Sequence, residues 1–396
     1  MNSSIKGNMN LLKHLESYAR KINWYRIHKK NKHYYTLDDN INKLYDKSFI
    51  RKKYDSVEVL KENIYIDGVE INKTCNLDCI MCLPSLSSRN KKIMDMDVFE
   101  KSLFEAKRLG RNKVSLFTIN EPLIHPHLED VFKLMRKYKM TTGISTNGMV
   151  LAKKVDLLYS YSDVVRGIRF SVDGATKEIF EKIRKPGKFD KLIENMDYFH
   201  KEYKKRPFFA LQMSSMVTRD NQHELAYHMK FYSKYLPLEN IGVYLINGLS
   251  LDNSYFFEST SFPSFIERKS NCQMLMHGVM SVNSDGNITP CCRDYDGDLV
   301  FANIKDGNIE DLINNEKIKS FRQQHLDGTP PTKLCANCYK VNDNLHNLYN
   351  LFFRTLVQRH SEKWNVDKMQ KKFDTFFAQN QESIMTKKAF LDLINN

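Results

Sequence analysis

No run of about eighteen apolar residues, the length a membrane helix needs, occurs anywhere in this 396-residue sequence. The amino terminus is polar and lacks the apolar core of a secretory signal. Internal repeats and low-complexity linkers are also missing. These absences argue against a membrane span or export and lead us to expect a cytoplasmic protein, in a compartment where thiols stay reduced. Its eight cysteines are therefore better read as metal ligands than as disulfides.

Hydrophobic residues make up 41% of the chain and aromatics 12%, enough for a large folded core rather than a disordered chain. Net charge is +14, and residues 1–60 hold half of it, with thirteen Lys and Arg against six Asp and Glu. A basic surface for nucleic acid or anionic lipid is one reading. A solvated helical face is the simpler one, and a phosphate-bearing substrate would suit the same field.

Residues 1–62 read as a basic helical extension, with Leu11, Leu12, Leu15, Ala19 and Ile22 near helical spacing. From residue 63 the pattern changes to strands alternating with amphipathic helices. Strands are expected at 63–71, 114–119, 141–146, 167–172, 208–217 and 240–247, and helices at 97–109, 127–139, 188–203 and 222–235. Such a series implies an α/β fold, a partial (β/α)6 TIM-like barrel with helices outside and chemistry at the carboxyl ends of the strands. Its expected extent is 63–250. A small cysteine-bearing domain is expected at 268–340. A helical extension follows at 341–396, carried by Leu345, Leu348, Leu351, Phe352, Leu356 and Val357.

Cys75, Cys79 and Cys82 follow the first expected strand in C-x3-C-x2-C spacing. Three thiolates with no fourth nearby leave one iron of a four-iron cube open to a small molecule. Asn120-Glu121-Pro122 ends the second strand, Ser145-Thr146-Asn147-Gly148 the third, and Ser171-Val172-Asp173-Gly174 the fourth, with Arg184 shortly after. Each alone reads as a turn; their order behind the cysteines does not.

Residues 63–250 resemble the radical S-adenosylmethionine (radical SAM) superfamily, within it the branch carrying a carboxyl-terminal SPASM or twitch auxiliary-cluster domain. The resemblance implies that Cys75, Cys79 and Cys82 bind a 4Fe–4S cluster whose open iron is chelated by the methionyl group of SAM. The family's Gly-Gly-Glu-Pro segment, which contacts the SAM amino group, falls on Ile119-Asn120-Glu121-Pro122. Both glycines are replaced, but that contact is largely through backbone. Ser145, Thr146 and Asn147 match the segment facing the ribose. Ser171 and Arg184 match positions that hold the carboxylate, and Asp173 lies in the same segment. A flavodoxin- or ferredoxin-like one-electron donor is implied as partner.

Cys272, Gly286 and Cys291 fit the opening of a SPASM domain, Ala302-Asn303-Ile304 resembles its Gly-Asn-Ile, and Cys335 and Cys338 supply a later C-x2-C. The resemblance thus implies a second 4Fe–4S cluster on Cys272, Cys291, Cys335 and Cys338, with Cys292 one residue outside the spacing. A four-thiolate zinc site is the competing reading. His125, His127, Gln212, Tyr244 and Arg293 are equally well explained by turns, packing or surface contacts, and no catalytic side chain is assigned.

Oxidation of a small polar metabolite such as a sugar or aminocyclitol is the leading functional expectation, since a fully ligated second cluster suits electron transfer. Radical-based maturation of a peptide or protein is the alternative. A non-catalytic iron–sulfur or zinc protein that binds nucleic acid explains the charge but not the strand-end segments.

Overall fold

Buried residues alternate with half-exposed or exposed ones along four strands: Thr142–Thr146 (β2), Ile168 to the end of Val165–Ser171 (β3), Ala210–Val217 (β4) and Ile241–Leu245 (β5). The buried set, including Ile144, Phe170, Met213 and Val243, packs beneath helices. Phe170, for example, meets Phe199 edge-on at 5.7 Å between ring centroids. Because side chains alternate across a strand, the other set must look to the opposite face. That set includes Ser145, Arg169, Ser171, Gln212 and Tyr244.

The computed structural model describes residues 56–82, 87–90, 92–245, 272–339, 343–380 and 385–395. These lie within one compact unit, 50–396. Most of the expected 1–62 extension, the end of the 240–247 strand and the expected boundaries at 250 and 268 lie outside the described residues, as does the side chain of Leu345.

Strands β2 to β5 pair in parallel and in sequence order, with Ser145 opposite Arg169 and Arg169 opposite Gln212. Parallel neighbours need crossover connections. The helices Met96–Arg108 (α1) and Leu128–Lys137 (α2) precede β2, and Val155–Ser160 (α3), Lys177–Ile183 (α4), Phe189–Lys205 (α5) and Leu225–Tyr232 (α6) lie in those connections. Strand β1 (Tyr65–Val69) joins the series through residues 113–115, which make parallel bridges to Gly68 on one side and Thr141 on the other. Six parallel segments in sequence order form the open (β/α)6 barrel that the alternation implied.

The expected strand 114–119 is cut short, and the reason is local. Asn120 accepts the Thr118 N–H through Oδ1 (3.0 Å) and donates from Nδ2 to the Leu116 carbonyl (3.3 Å), pulling the chain out of the ladder.

The far edge of β1 is covered by a later part of the chain. Strand β6 (Val279–Val282) pairs with β1 in parallel, and β7 (Asn287–Thr289) and β8 (Ala302–Asn303) continue the sheet antiparallel. The cysteine-bearing region is thus hydrogen-bonded to the barrel sheet. Gly286 turns the β6–β7 hairpin at φ +86°, and a Cβ there would meet the Asn303 amide at 2.9 Å. Glycine is the residue that both requirements favour.

Helices Gln273–Met276 (α7), Ile309–Leu312 (α8), Glu316–Leu326 (α9) and Lys333–Tyr339 (α10) complete this region. Beyond it lie Asp343–His360 (α11), Val366–Gln379 (α12) and Lys387–Asn395 (α13). Helix α11 lies against β5. Phe352 of α11 stacks on Phe376 of α12 at 4.5 Å, and Trp364 donates to the Ala226 carbonyl of α6 at 3.0 Å. No helix among the described residues is long and apolar enough to cross a membrane.

Candidate functional site

The first cysteine loop leaves β1 and is fastened on both flanks. Asp78 and Ile80 donate backbone N–H to the carbonyls of Lys185 (2.5 Å) and Ile183 (3.0 Å), while Glu121 N–H reaches back to Thr74 O at 3.0 Å. Asn147 Nδ2 donates to Asn76 Oδ1 at 2.8 Å. The second and third strand-end segments, and the stretch around Arg184, therefore meet around this loop. Cys79 is buried, whereas Cys75 and Cys82 are exposed. Burial pushes the Cys79 thiol up to about 11, although the Arg184 guanidinium beside it pulls the other way. Ligation needs the thiolate, so the charge of a bound metal must supply the ionisation.

Glu121 caps the short 3-10 turn Pro122–Ile124 and is buried. Its carboxylate accepts the Leu123 N–H at 3.1 Å and the Asn147 N–H at 2.7 Å, joining the second strand end to the third. Burial pushes its carboxyl up to about 7 against those two donors. Thr146 Oγ1 accepts from Gly148 N at 3.1 Å. The Ser145 and Ser171 hydroxyls stand 3.2 Å apart on adjacent strands.

Asp173 is fully buried and accepts from Met216 N through one oxygen and from Arg184 Nε through the other, both at 2.6 Å. Its position is that of a brace between the fourth and fifth strand ends. Arg184 stands close enough to Cys79 and Cys82 to interact with both. His125 is buried and accepts the His127 N–H at 3.1 Å, a turn arrangement.

In the second group, Cys335 packs with Leu299 and Leu334, and Cys291 and Cys338 lie against them together with Phe321. Burial raises the Cys291 and Cys335 thiols, with Cys292 and Cys272 adding to the shift at Cys291 and Cys272 at Cys335. Cys292 instead has Arg293 and Asp67 as its charged neighbours. Both Cys291 and Cys292 border the seam between hairpin and barrel, with Arg89, Thr118 and Asn283.

Among the described residues, no three metal-binding side chains converge as ligands of one ion. The thiolates of an iron–sulfur cube each hold a different iron, so they stand farther apart than the ligands of a single ion. Four thiols in an apolar shell suit such a cluster.

The residues that connect the two cysteine groups escaped sequence reading. Arg89 Nη2 donates to both carboxylate oxygens of Glu70, at 2.9 and 3.0 Å, and Arg89 Nε to the Tyr295 carbonyl at 3.0 Å. Thr118 Oγ1 and Ser284 N also donate to Glu70, each at 3.0 Å. A signal existed: Glu70 is an acid between Val69 and Ile71, just past an apolar strand.

Residues 69–232 match the family model of the radical SAM superfamily, and residues 272–339 match that of an iron–sulfur cluster-binding domain, SPASM. The chain is 25% identical over 308 residues to the tungsten-containing aldehyde ferredoxin oxidoreductase cofactor-modifying protein of Pyrococcus furiosus, covering 64% of this chain and 82% of that one. It is 24% identical over 287 residues to the S-adenosyl-L-methionine-dependent 2-deoxy-scyllo-inosamine dehydrogenase of Niallia circulans, covering 71% of this chain and 95% of that one. The fold is similar to that of anSMEcpe with bound AdoMet, at a TM-score of 0.51 and 18% identity, over 80% of this chain and 97% of that one.

Proposed function

We propose that this chain, which belongs to the radical SAM superfamily and carries a carboxyl-terminal SPASM iron–sulfur domain, oxidises an alcohol carbon of a small polar metabolite. When bound, the cofactors would supply a 5′-deoxyadenosyl radical to take a hydrogen atom from that carbon and a second cluster to accept the electron left behind, while the hydroxyl proton leaves to solvent and a ketone results.

The chain's own part is placement. Cys75, Cys79 and Cys82 would hold the SAM-binding cluster. Asn120, Glu121 and Pro122 would present backbone to the SAM amino group, Ser145, Thr146 and Asn147 would face the ribose, and Ser171 and Arg184 would hold the carboxylate. Arginine suits a carboxylate because its planar fork pairs with both oxygens. Asp173 would fix Arg184 by taking up its Nε, leaving the terminal nitrogens for the ligand.

One observation carries the choice of an oxidation: Cys291, Cys335 and Cys338 pack in one apolar cluster, and Cys272 lies close enough to interact with Cys291 and Cys335. A cluster saturated by four protein thiolates has no open iron for substrate, so it suits electron acceptance, or support of the substrate pocket, better than substrate ligation. The likeness to a SAM-dependent dehydrogenase over most of that protein's length supports the reading. A flavodoxin- or ferredoxin-like protein would supply the reducing electron.

The deciding experiment incubates the anaerobically reconstituted protein with deuterated sugars and cyclitols, free and phosphorylated. Deuterium should appear in 5′-deoxyadenosine together with a ketone product. Transfer from a peptide alone would replace this reading with peptide maturation.

A further inference from the structure

Arg169 stands on the open face of β3, two residues before Ser171, and is exposed. Its Nε and Nη2 both donate to Gln212 Oε1 on the neighbouring strand, at 3.3 and 3.0 Å. Among the described residues no carboxylate pairs with it; Gln212 is its one bonded partner. The wall around it is stripped of bulk. Gly143 and Ser145 lie beside it on β2, Gly167 precedes it on β3, and Ser214 follows Gln212 on the same face of β4. Even an added Cβ at Gly143 would meet nothing nearer than 3.8 Å.

A guanidinium stays charged at any ordinary pH and is costly to cut off from water without a counter-charge. A substrate entering the barrel does cut it off. Gln212 fixes the orientation of the fork while leaving its remaining N–H groups for a ligand, and that geometry matches a carboxylate or a phosphate.

We infer that Arg169 reads an anionic group, carboxylate or phosphate, on the substrate, with Gln212 as its positioning residue. The inference rests on the reading above that a small metabolite reacts inside the barrel, and it narrows that metabolite to an anion-bearing one. An amine-bearing cyclitol without such a group would meet like charge at this position.

The test uses the reconstituted, SAM-bound protein and two probes, inorganic pyrophosphate and malonate. Phenylglyoxal modification of arginines is followed by peptide mass spectrometry. Arg136, paired with Asp163 at 2.6 Å, serves as reference. Pyrophosphate should protect Arg169 well beyond Arg136 if the group is a phosphate, and malonate should do so if it is a carboxylate. In parallel, Arg169→Gln should weaken calorimetric binding of the protecting anion on the order of ten- to a hundredfold, the loss of charge-assisted hydrogen bonds. Arg169 is exposed on a strand face, so the variant should fold, which circular dichroism and iron content check. Absence of protection by either anion, or equal affinity in the variant, overturns the inference. If Arg169 is protected while deuterium transfer occurs only from a peptide, the anion site stands and the metabolite reading falls.

Discussion

Arg184 donates from Nε to Asp173 Oδ2 at 2.6 Å, while the other Asp173 oxygen accepts the Met216 N–H at the same distance. This pair fixes one edge of the guanidinium and turns its neighbourhood toward Cys79 and Cys82. Arg184→Ala should weaken SAM binding on the order of ten- to a hundredfold with iron content unchanged. Asp173→Ala strands a buried cation and should cost about 3–5 kcal/mol of stability. Arg184→Ala strands the buried Asp173 carboxylate and should cost a similar amount, so denaturant unfolding is followed beside calorimetric titration with SAM; an unaltered SAM affinity in Arg184→Ala moves the carboxylate contact to another residue.

A second prediction concerns pH. The Glu121 carboxyl is held at about 7 in the folded chain against an ordinary 4.5, mainly by burial. An acid with a raised folded pKa stabilises the fold while it stays protonated. Its contribution is therefore fully present below the unfolded value and is lost as pH rises through about 7. The difference corresponds to about 3 kcal/mol. Glu121→Gln removes the titration at the expense of one backbone hydrogen bond. The unsubstituted apoprotein should thus lose stability relative to the variant between about pH 5 and about pH 8. A difference that does not change with pH would show that Glu121 is ionised throughout.

Glu121, Asp173 and Arg184 all stand out in the sequence, but their bonds to one another and to their neighbours do not. Order and spacing marked Cys75, Glu121, Asn147, Ser171 and Arg184 as strand-end neighbours, because strand ends are visible in hydrophobic alternation. What alternation does not reveal is who bonds to whom. The strand expected at 114–119 was lost to two hydrogen bonds of Asn120, a side-chain choice invisible in a run of apolar residues. The pairing of β6 with β1 joins residues more than two hundred positions apart, so no local pattern signals it. The register that sets Arg169 beside Gln212 is likewise not local in the sequence.

The seam between the two cysteine groups supplies a third prediction. Glu70 has no exposed side-chain surface and Arg89 little, and their bidentate pair also anchors Thr118, Ser284 and the Tyr295 carbonyl. Breaking a buried pair by removing one partner costs about 3–5 kcal/mol. Glu70→Ala should therefore lower stability by that order and shift the hairpin against the barrel. In the reduced, reconstituted protein the magnetic coupling between the two clusters, read by electron paramagnetic resonance, should change. Unchanged coupling with lowered stability would assign the pair to folding alone.

The last prediction separates the roles of the two cysteine groups. Replacing Cys335 and Cys338 by Ala should preserve slow formation of 5′-deoxyadenosine and abolish oxidised product, because the first loop with Cys75, Cys79 and Cys82 is built from other elements. Cys292→Ala should leave the second cluster in place, since Cys292 has Asp67 and Arg293 as its charged neighbours instead of Cys335 and Cys338. The measurement is product per 5′-deoxyadenosine, with iron content and unfolding midpoint followed in each variant. A double variant that still makes product at the original ratio removes the electron-acceptor role and leaves a structural metal site. Loss of the cluster in Cys292→Ala, with retention in Cys291→Ala, would shift the ligand by one residue.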